Sequence, residues 1–254
     1  MRQPSPIARP ARLSASNVAT VIALAMIPLA SPSWAQSNVV APNQFAWGEN
    51  VGWINFRDAN LGTQGVRMSP SFLSGFAWGE NIGWINFGDG TPANGFQYAN
   101  TTGADFGVNR DPSTNALTGL AWGENVGWIN FSLPSLPVAQ RPRYDAANGS
   151  RLAGYAWGEN IGWINLDVPF FGQFVAFPCG PADIANTDSD PGADGFIDNG
   201  DFTLFFSSFF LPETDPSRLI ADIANTDGDP GADGAVDNGD FTLFFSAFFA
   251  GCTG

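Results

Sequence analysis

Histidine and lysine are both absent from this 254-residue chain, and its ten basic residues are all Arg. The commonest general base and zinc ligand is therefore missing, and there is no lysine amine for Schiff-base chemistry. Cysteine occurs only at Cys179 and Cys252. The ten Arg face 24 acidic residues, which sets a formal charge of -14 and a sequence pI near 4.1. A surface that acidic repels nucleic acid and anionic lipid and attracts cations. What the chain has in quantity is glycine, with 30 residues, and aromatic side chains, at 14 %. Together they point to turn-rich β structure rather than disorder.

Arg2, Arg9 and Arg12 precede an apolar run over residues 18–30, and Ser33-Trp34-Ala35 follows as an A-x-A-type cleavage site. The run is too short to span a membrane, so residues 1–35 read as a secretory signal peptide and the mature protein is expected to start near Gln36. No later segment is apolar enough to cross a bilayer. In an oxidising compartment Cys179 and Cys252 read as one disulfide, with two free thiols as the alternative.

Residues 45–56 read FAWGENVGWINF, and the unit returns at 76–87, 120–131 and 155–166. Aromatic and β-branched residues flank a Gly/Asn-rich break in each copy, which is a β-hairpin signal. Period-2 alternation puts Trp84 and Asn86 on one face of the second strand, with Ile85 and Phe87 on the other. Both faces carry large apolar groups and are expected to be at least partly covered. A further short strand is expected upstream of the later hairpins, at residues 65–68, 107–110 and 141–145. Uneven spacing of the copies fits hairpins joined by loops of different length. Residues 36–170 are thus expected to form an all-β domain of four Trp-rich hairpin repeats, closed or stacked, propeller-like or sandwich-like.

The repeats hold Trp47, Trp53, Trp78, Trp84, Trp122, Trp128, Trp157 and Trp163, together with the equivalent Glu49, Glu80, Glu124 and Glu159. In one reading Glu and Asn satisfy backbone N–H groups at the turns while the Trp pairs pack between repeats. In the other, exposed Trp rings form a multivalent face for sugars or other flat ligands. Catalysis is not expected here. A glycosidase needs two carboxylates in different environments, and four identical turns offer only one.

Beyond a linker expected at 171–178, a second duplication occupies the tail: residues 183–210 and 222–249 are nearly identical. Residues 179–254 hold 14 of the 24 acids and one Arg, Arg218. Counting twelve positions back from Asp201 gives carboxylates at positions 1, 5, 9 and 12 (Asp190, Asp194, Asp198, Asp201), Gly195 at 6 and the carbonyl of Phe196 at 7. The second copy supplies Asp229, Asp233, Ala235, Asp237 and Asp240 in the same frame. This is an EF-hand-type calcium frame, and hard carboxylate oxygens select calcium over transition metals. Position 3 is Gly192 or Gly231; Asp188 or Asn186, Asp227 or Asn225, or a water would fill that place. After each loop, Phe202, Phe205, Phe206, Phe209 and Phe210 mark the apolar stripe of a short helix that Asp201 is placed to cap, as Asp240 is in the second copy. Two such helices can bury their stripes against each other.

This pattern resembles the dockerin family, and most closely its GC-type variant. The resemblance is carried by Cys179, Pro181-Ala182-Asp183, the two loops at 190–201 and 229–240, and the terminal Gly251-Cys252. It implies a small α-helical domain over 179–254 with two calcium sites, used to attach a secreted protein to another extracellular component. In dockerins that partner is a cohesin domain, recognised at loop positions 10 and 11. Those positions are Asn199-Gly200 and Asn238-Gly239 here, not the Ser-Thr pair common in cellulosomal members. The function expected is that of a secreted, non-enzymatic protein whose calcium-binding tail anchors a β-repeat scaffold. A carbohydrate-binding component of a polysaccharide-degrading system is the alternative.

Overall fold

The computed structural model describes residues 37–61 and 63–252; the leader expected over residues 1–35 lies outside them. Each FAWGEN unit folds as the hairpin its sequence announces. The four hairpins are Phe45–Gly48 with Gly52–Asn55, Phe76–Gly79 with Gly83–Asn86, Leu117–Gly123 with Gly127–Asn130, and Tyr155–Gly158 with Gly162–Asn165. All four share one register, in which Trp faces Trp and Gly faces Gly across the turn, as in Trp47↔Trp53 and Gly48↔Gly52. The second of these glycines has to be Gly because its φ is positive, 80° at Gly52 and 75° at Gly83.

Identical hairpins present identical edges, and the seams between them are identical too. Ile54 and Asn55 of the first hairpin pair with Gly79 and Trp78 of the second. The same Ile–Gly and Asn–Trp pairs join the second hairpin to the third, the third to the fourth, and the fourth back to the first through Ile164↔Gly48 and Asn165↔Trp47. Repeating one seam four times closes the sheet into an eight-stranded antiparallel barrel and leaves no unpaired edge. This closed form resolves the two arrangements expected from sequence: the sheet is neither a propeller nor a sandwich.

The period-2 reading holds at every hairpin. Ala46, Ala77, Ala121 and Ala156 point inward opposite Ile54, Ile85, Ile129 and Ile164, and each is at most 3 % exposed. A small residue facing a large one in each hairpin is what lets eight strands fill a barrel without a void. Phe56, Phe87, Phe131 and Leu166 extend the same core, with ring centroids 5.1 Å apart for Phe56–Phe87 and 5.8 Å for Phe87–Phe131.

Short strands appear where expected before the later hairpins: Arg67–Met68 pairs with Leu73–Ser74, Val108–Arg110 with the long strand of the third hairpin, and Arg143–Asp145 with Arg151–Ala153. Among the described residues the first hairpin has no such upstream strand, and the segment expected as a linker plays that part. Gln173–Phe174 pairs with Asp167–Val168, Val175 bridges Gln44, and Ala176 receives a hydrogen bond from Val40 and donates one to Asn43. Val175, Ala176 and Phe177 are at most 1 % exposed. Residues 173–177 are therefore part of the barrel's packing, not a free tether.

The tail is helical where the Phe stripe placed it, at α1 (Asn199–Phe209) and α2 (Asn238–Ala250). The N-cap residues are Asp198 and Asp237, one turn earlier than sequence spacing placed them. Asp201 and Asp240 supply the other half of the capping box, accepting from the N-cap backbone N–H. The helices pack through Phe205 and Phe244, whose rings stack 3.9 Å apart at 8°. Cys179 and Cys252 form a disulfide with Cα atoms 4.8 Å apart, across 73 residues. Because it ties together the two ends of the helical segment, Cys252→Ser should lower the stability of that segment by about 2–4 kcal/mol. Chemical denaturation followed by the far-UV helical signal checks this, and an unchanged midpoint would refute it. No helix among the described residues is long and apolar enough to cross a membrane.

Candidate functional site

Two regions carry candidate chemistry. In the acidic duplication the structure brings forward a carboxylate that the twelve-residue count passed over. Asp183 is 5 % exposed, and its carboxylate accepts from the N–H groups of Cys179 (2.7 Å), Asp194 (3.0 Å) and Gly195 (3.0 Å). Asp201, 1 % exposed, accepts from Ile184 (2.7 Å), Ala185 (2.8 Å) and Asp198 (2.8 Å). The start of the loop thus clasps its middle, and the end of the loop clasps its start. The second copy repeats the arrangement, with Asp222 accepting from Asp233 and Gly234, and Asp240 from Ile223, Ala224 and Asp237. The signal was present in the sequence, since Asp183 and Asp222 are the first residues of the two duplicated copies.

These carboxylates lie in a costly setting. Burial pushes the Asp183 carboxyl up to about 7, against the pull of its backbone hydrogen bonds, and the neighbouring Asp201 charge adds to the rise. Burial also raises Asp201. None of the ion pairs among the described residues involves either group, and Arg218 gives its guanidinium to the carbonyls of Leu211 and Val236. Buried negative charge without a cationic partner suits a bound cation. The other expected ligands are less gathered. Asp190 is exposed at the loop tip, Asp194 accepts from Phe196 N–H, and Asp198 accepts from Gly200 N–H as a helix cap. Among the described residues, no three His, Cys, Asp or Glu side chains stand together as a metal-holding group.

The second region is the outer face of the barrel. Each Trp pair packs within its own hairpin, edge to face at 4.7–5.0 Å, and not between repeats. The turns take over the job of joining neighbours. Asn50, Asn81, Asn125 and Asn160 each donate to the turn carbonyl of the adjacent hairpin, Ile161, Val51, Ile82 and Val126, at 3.0–3.1 Å, which makes a closed ring of four bonds. Glu49 and Glu124 accept from the backbone N–H of Trp163 and Trp84. Among the described residues Glu80 and Glu159 have no such bond. With the seams carried by Asn and backbone, the Trp rings stay outside, and Trp47, Trp53, Trp78, Trp122 and Trp128 are 36–39 % exposed.

No protein-family model, curated protein or solved structure matches the chain. The site has to be read from its own chemistry. That chemistry divides cleanly: buried carboxylates in the tail, and partly exposed aromatic rings on the barrel. Grooves open between the hairpins on the Trp face, of about 820 Å³ between the first and second and about 350 Å³ between the second and third. At loop positions 10 and 11, Asn199 and Asn238 are exposed while Gly200 and Gly239 are buried, and a Cβ on either glycine would strike the carbonyl of Asn186 or Asn225. Only the Asn of each pair therefore stands at the surface.

Proposed function

We propose that this is a secreted, non-enzymatic protein, organised as a β-barrel domain and a dockerin-like domain whose two loops bind calcium and which anchors the barrel to an extracellular protein. The observation that carries this reading is the twice-repeated arrangement in which Asp183 and Asp201, and Asp222 and Asp240, each accept backbone N–H groups of their own loop. In the first loop these two carboxylates are buried, and among the described residues neither has a cationic partner. Asp190, Asp194, Asp198, Asp201 and the Phe196 carbonyl would hold the first ion, and Asp229, Asp233, Asp237, Asp240 and the Ala235 carbonyl the second, with Asp183 and Asp222 as further carboxylates of each loop. Calcium there would neutralise the loops and fix the helices that follow them. Asn199 and Asn238 then present the exposed polar points of a docking face, to a cohesin-like domain or another anchoring component.

Calorimetry on the full chain should show about two calcium ions bound. Asp194→Asn should remove one of them and leave the other. Absence of a binding heat, together with unchanged circular dichroism, would refute the calcium reading. A second reading, contact with carbohydrate in an extracellular polysaccharide-degrading system, is favoured by a separate observation: five Trp rings on the outside of the barrel are more than a third exposed.

A further inference from the structure

The four hairpins are equivalent in sequence, yet the grooves between them are not. The groove between the first and second hairpins, at about 820 Å³, is more than twice the size of the next. What makes it different lies outside the repeats. The segment 169–174, which follows the fourth hairpin, places Phe171 and Gln173 on its wall, and Phe171 stands edge-on to Trp53 with ring centroids 6.2 Å apart. Phe171 is 63 % exposed and Trp53 and Trp78 are each 38 % exposed, so three aromatic rings show surface to one cleft. A cleft of this volume, lined by aromatic rings with a few polar groups, has the dimensions of a ligand site.

The polar groups decide the class of ligand. Glu80 lines this groove, and among the described residues it makes no bond to a neighbouring hairpin of the kind that Glu49 and Glu124 make. Gln173 adds an amide with both a donor and an acceptor. Among the described residues no basic side chain lines the groove, and the chain carries a formal charge of -14, so nucleotides and acidic polymers find little counter-charge there. A ligand matching the groove has flat apolar faces for the rings, hydroxyl donors for the Glu80 carboxylate, and no charge. A proline-rich peptide offers the flat faces but not the hydroxyl donors.

We propose that the groove between the first and second hairpins binds a neutral oligosaccharide, with sugar rings against Trp53, Trp78 and Phe171 and hydroxyl groups on Glu80 and Gln173. This rests on the second reading above and narrows it from a shared Trp face to one site. Cellohexaose, xylohexaose and mannohexaose would be titrated by calorimetry into the full chain and into two variants of unchanged circular dichroism. One is Phe171→Ala with Glu80→Gln; the other is Trp122→Ala, which alters a different groove. The expected result is binding of at least one hexasaccharide, weakened tenfold or more in the first variant and less than twofold in the second. Equal weakening in both variants would overturn the single site while leaving a shared Trp face intact. Undiminished binding in the first variant would overturn the site as well. No binding of any hexasaccharide would overturn both, and so would capture of a proline-rich peptide in their place.

Discussion

Phe87→Ala should destabilise the barrel by about 3–5 kcal/mol, the cost of emptying a large aromatic site in a packed core. Phe87 is 2 % exposed and lies between Phe56 and Phe131, so no neighbour can collapse into the space without dragging a strand of the adjoining hairpin. Trp53→Ala removes a larger side chain from the same kind of strand and should cost less than half as much. That ring is 38 % exposed and packs on the outside against Trp47. The comparison tests which face of the hairpin is inside, by urea unfolding of both variants under one set of conditions. Equal costs, or a larger cost at Trp53, would put the Trp face in the core and invert the barrel described above.

On the proposed calcium reading, removing the ion should have the second large effect, and it should be confined to the tail. A ligand that binds only the folded form at a thousand times its Kd stabilises by about 4 kcal/mol, and two loops double that. Eight of the nine Trp lie in the four hairpins, and the ninth, Trp34, lies in the expected leader, whereas both α-helices of the described residues follow residue 198. Trp fluorescence therefore reports the barrel, and the far-UV helical signal reports the tail. With a chelator in place of millimolar calcium, the helical signal should melt at a markedly lower temperature while the fluorescence transition moves little. If the two signals moved together, or neither moved, the calcium loops would not be the element that stabilises the tail. The disulfide at Cys179–Cys252 keeps the ends of the segment together in either state.

The anchoring reading and the glycan reading are compatible, because they use different ends of the chain. On these readings the tail would offer carboxylates and two exposed Asn to a protein partner, and the barrel would offer aromatic rings and Glu80 to a glycan. Each can fail without the other.

The sequence by itself determined whatever depends on neighbours along the chain. Gly52 and Gly83 mark turns because only glycine readily takes the positive φ there. The alternation of Trp84, Ile85, Asn86 and Phe87 assigns faces because strand side chains point to opposite sides. The Phe spacing from Phe202 to Phe210 assigns a helix, and the repeated Asp pattern marks two loops. Tertiary structure decided what depends on partners far apart in sequence. Closure of the barrel rests on the Ile164↔Gly48 and Asn165↔Trp47 seam, more than a hundred residues apart, which no local pattern reveals. The same distance hid the role of residues 173–177, which complete the first hairpin and were legible only as a linker. Asp183 was missed because its contact to Gly195 spans twelve residues of irregular loop, outside a count that assumed an uninterrupted frame. The Trp rings ended outside for a reason that involves every hairpin at once. Ala opposite Ile fills the interior of the eight-stranded barrel, so the alternating Trp positions of the same strands face outward.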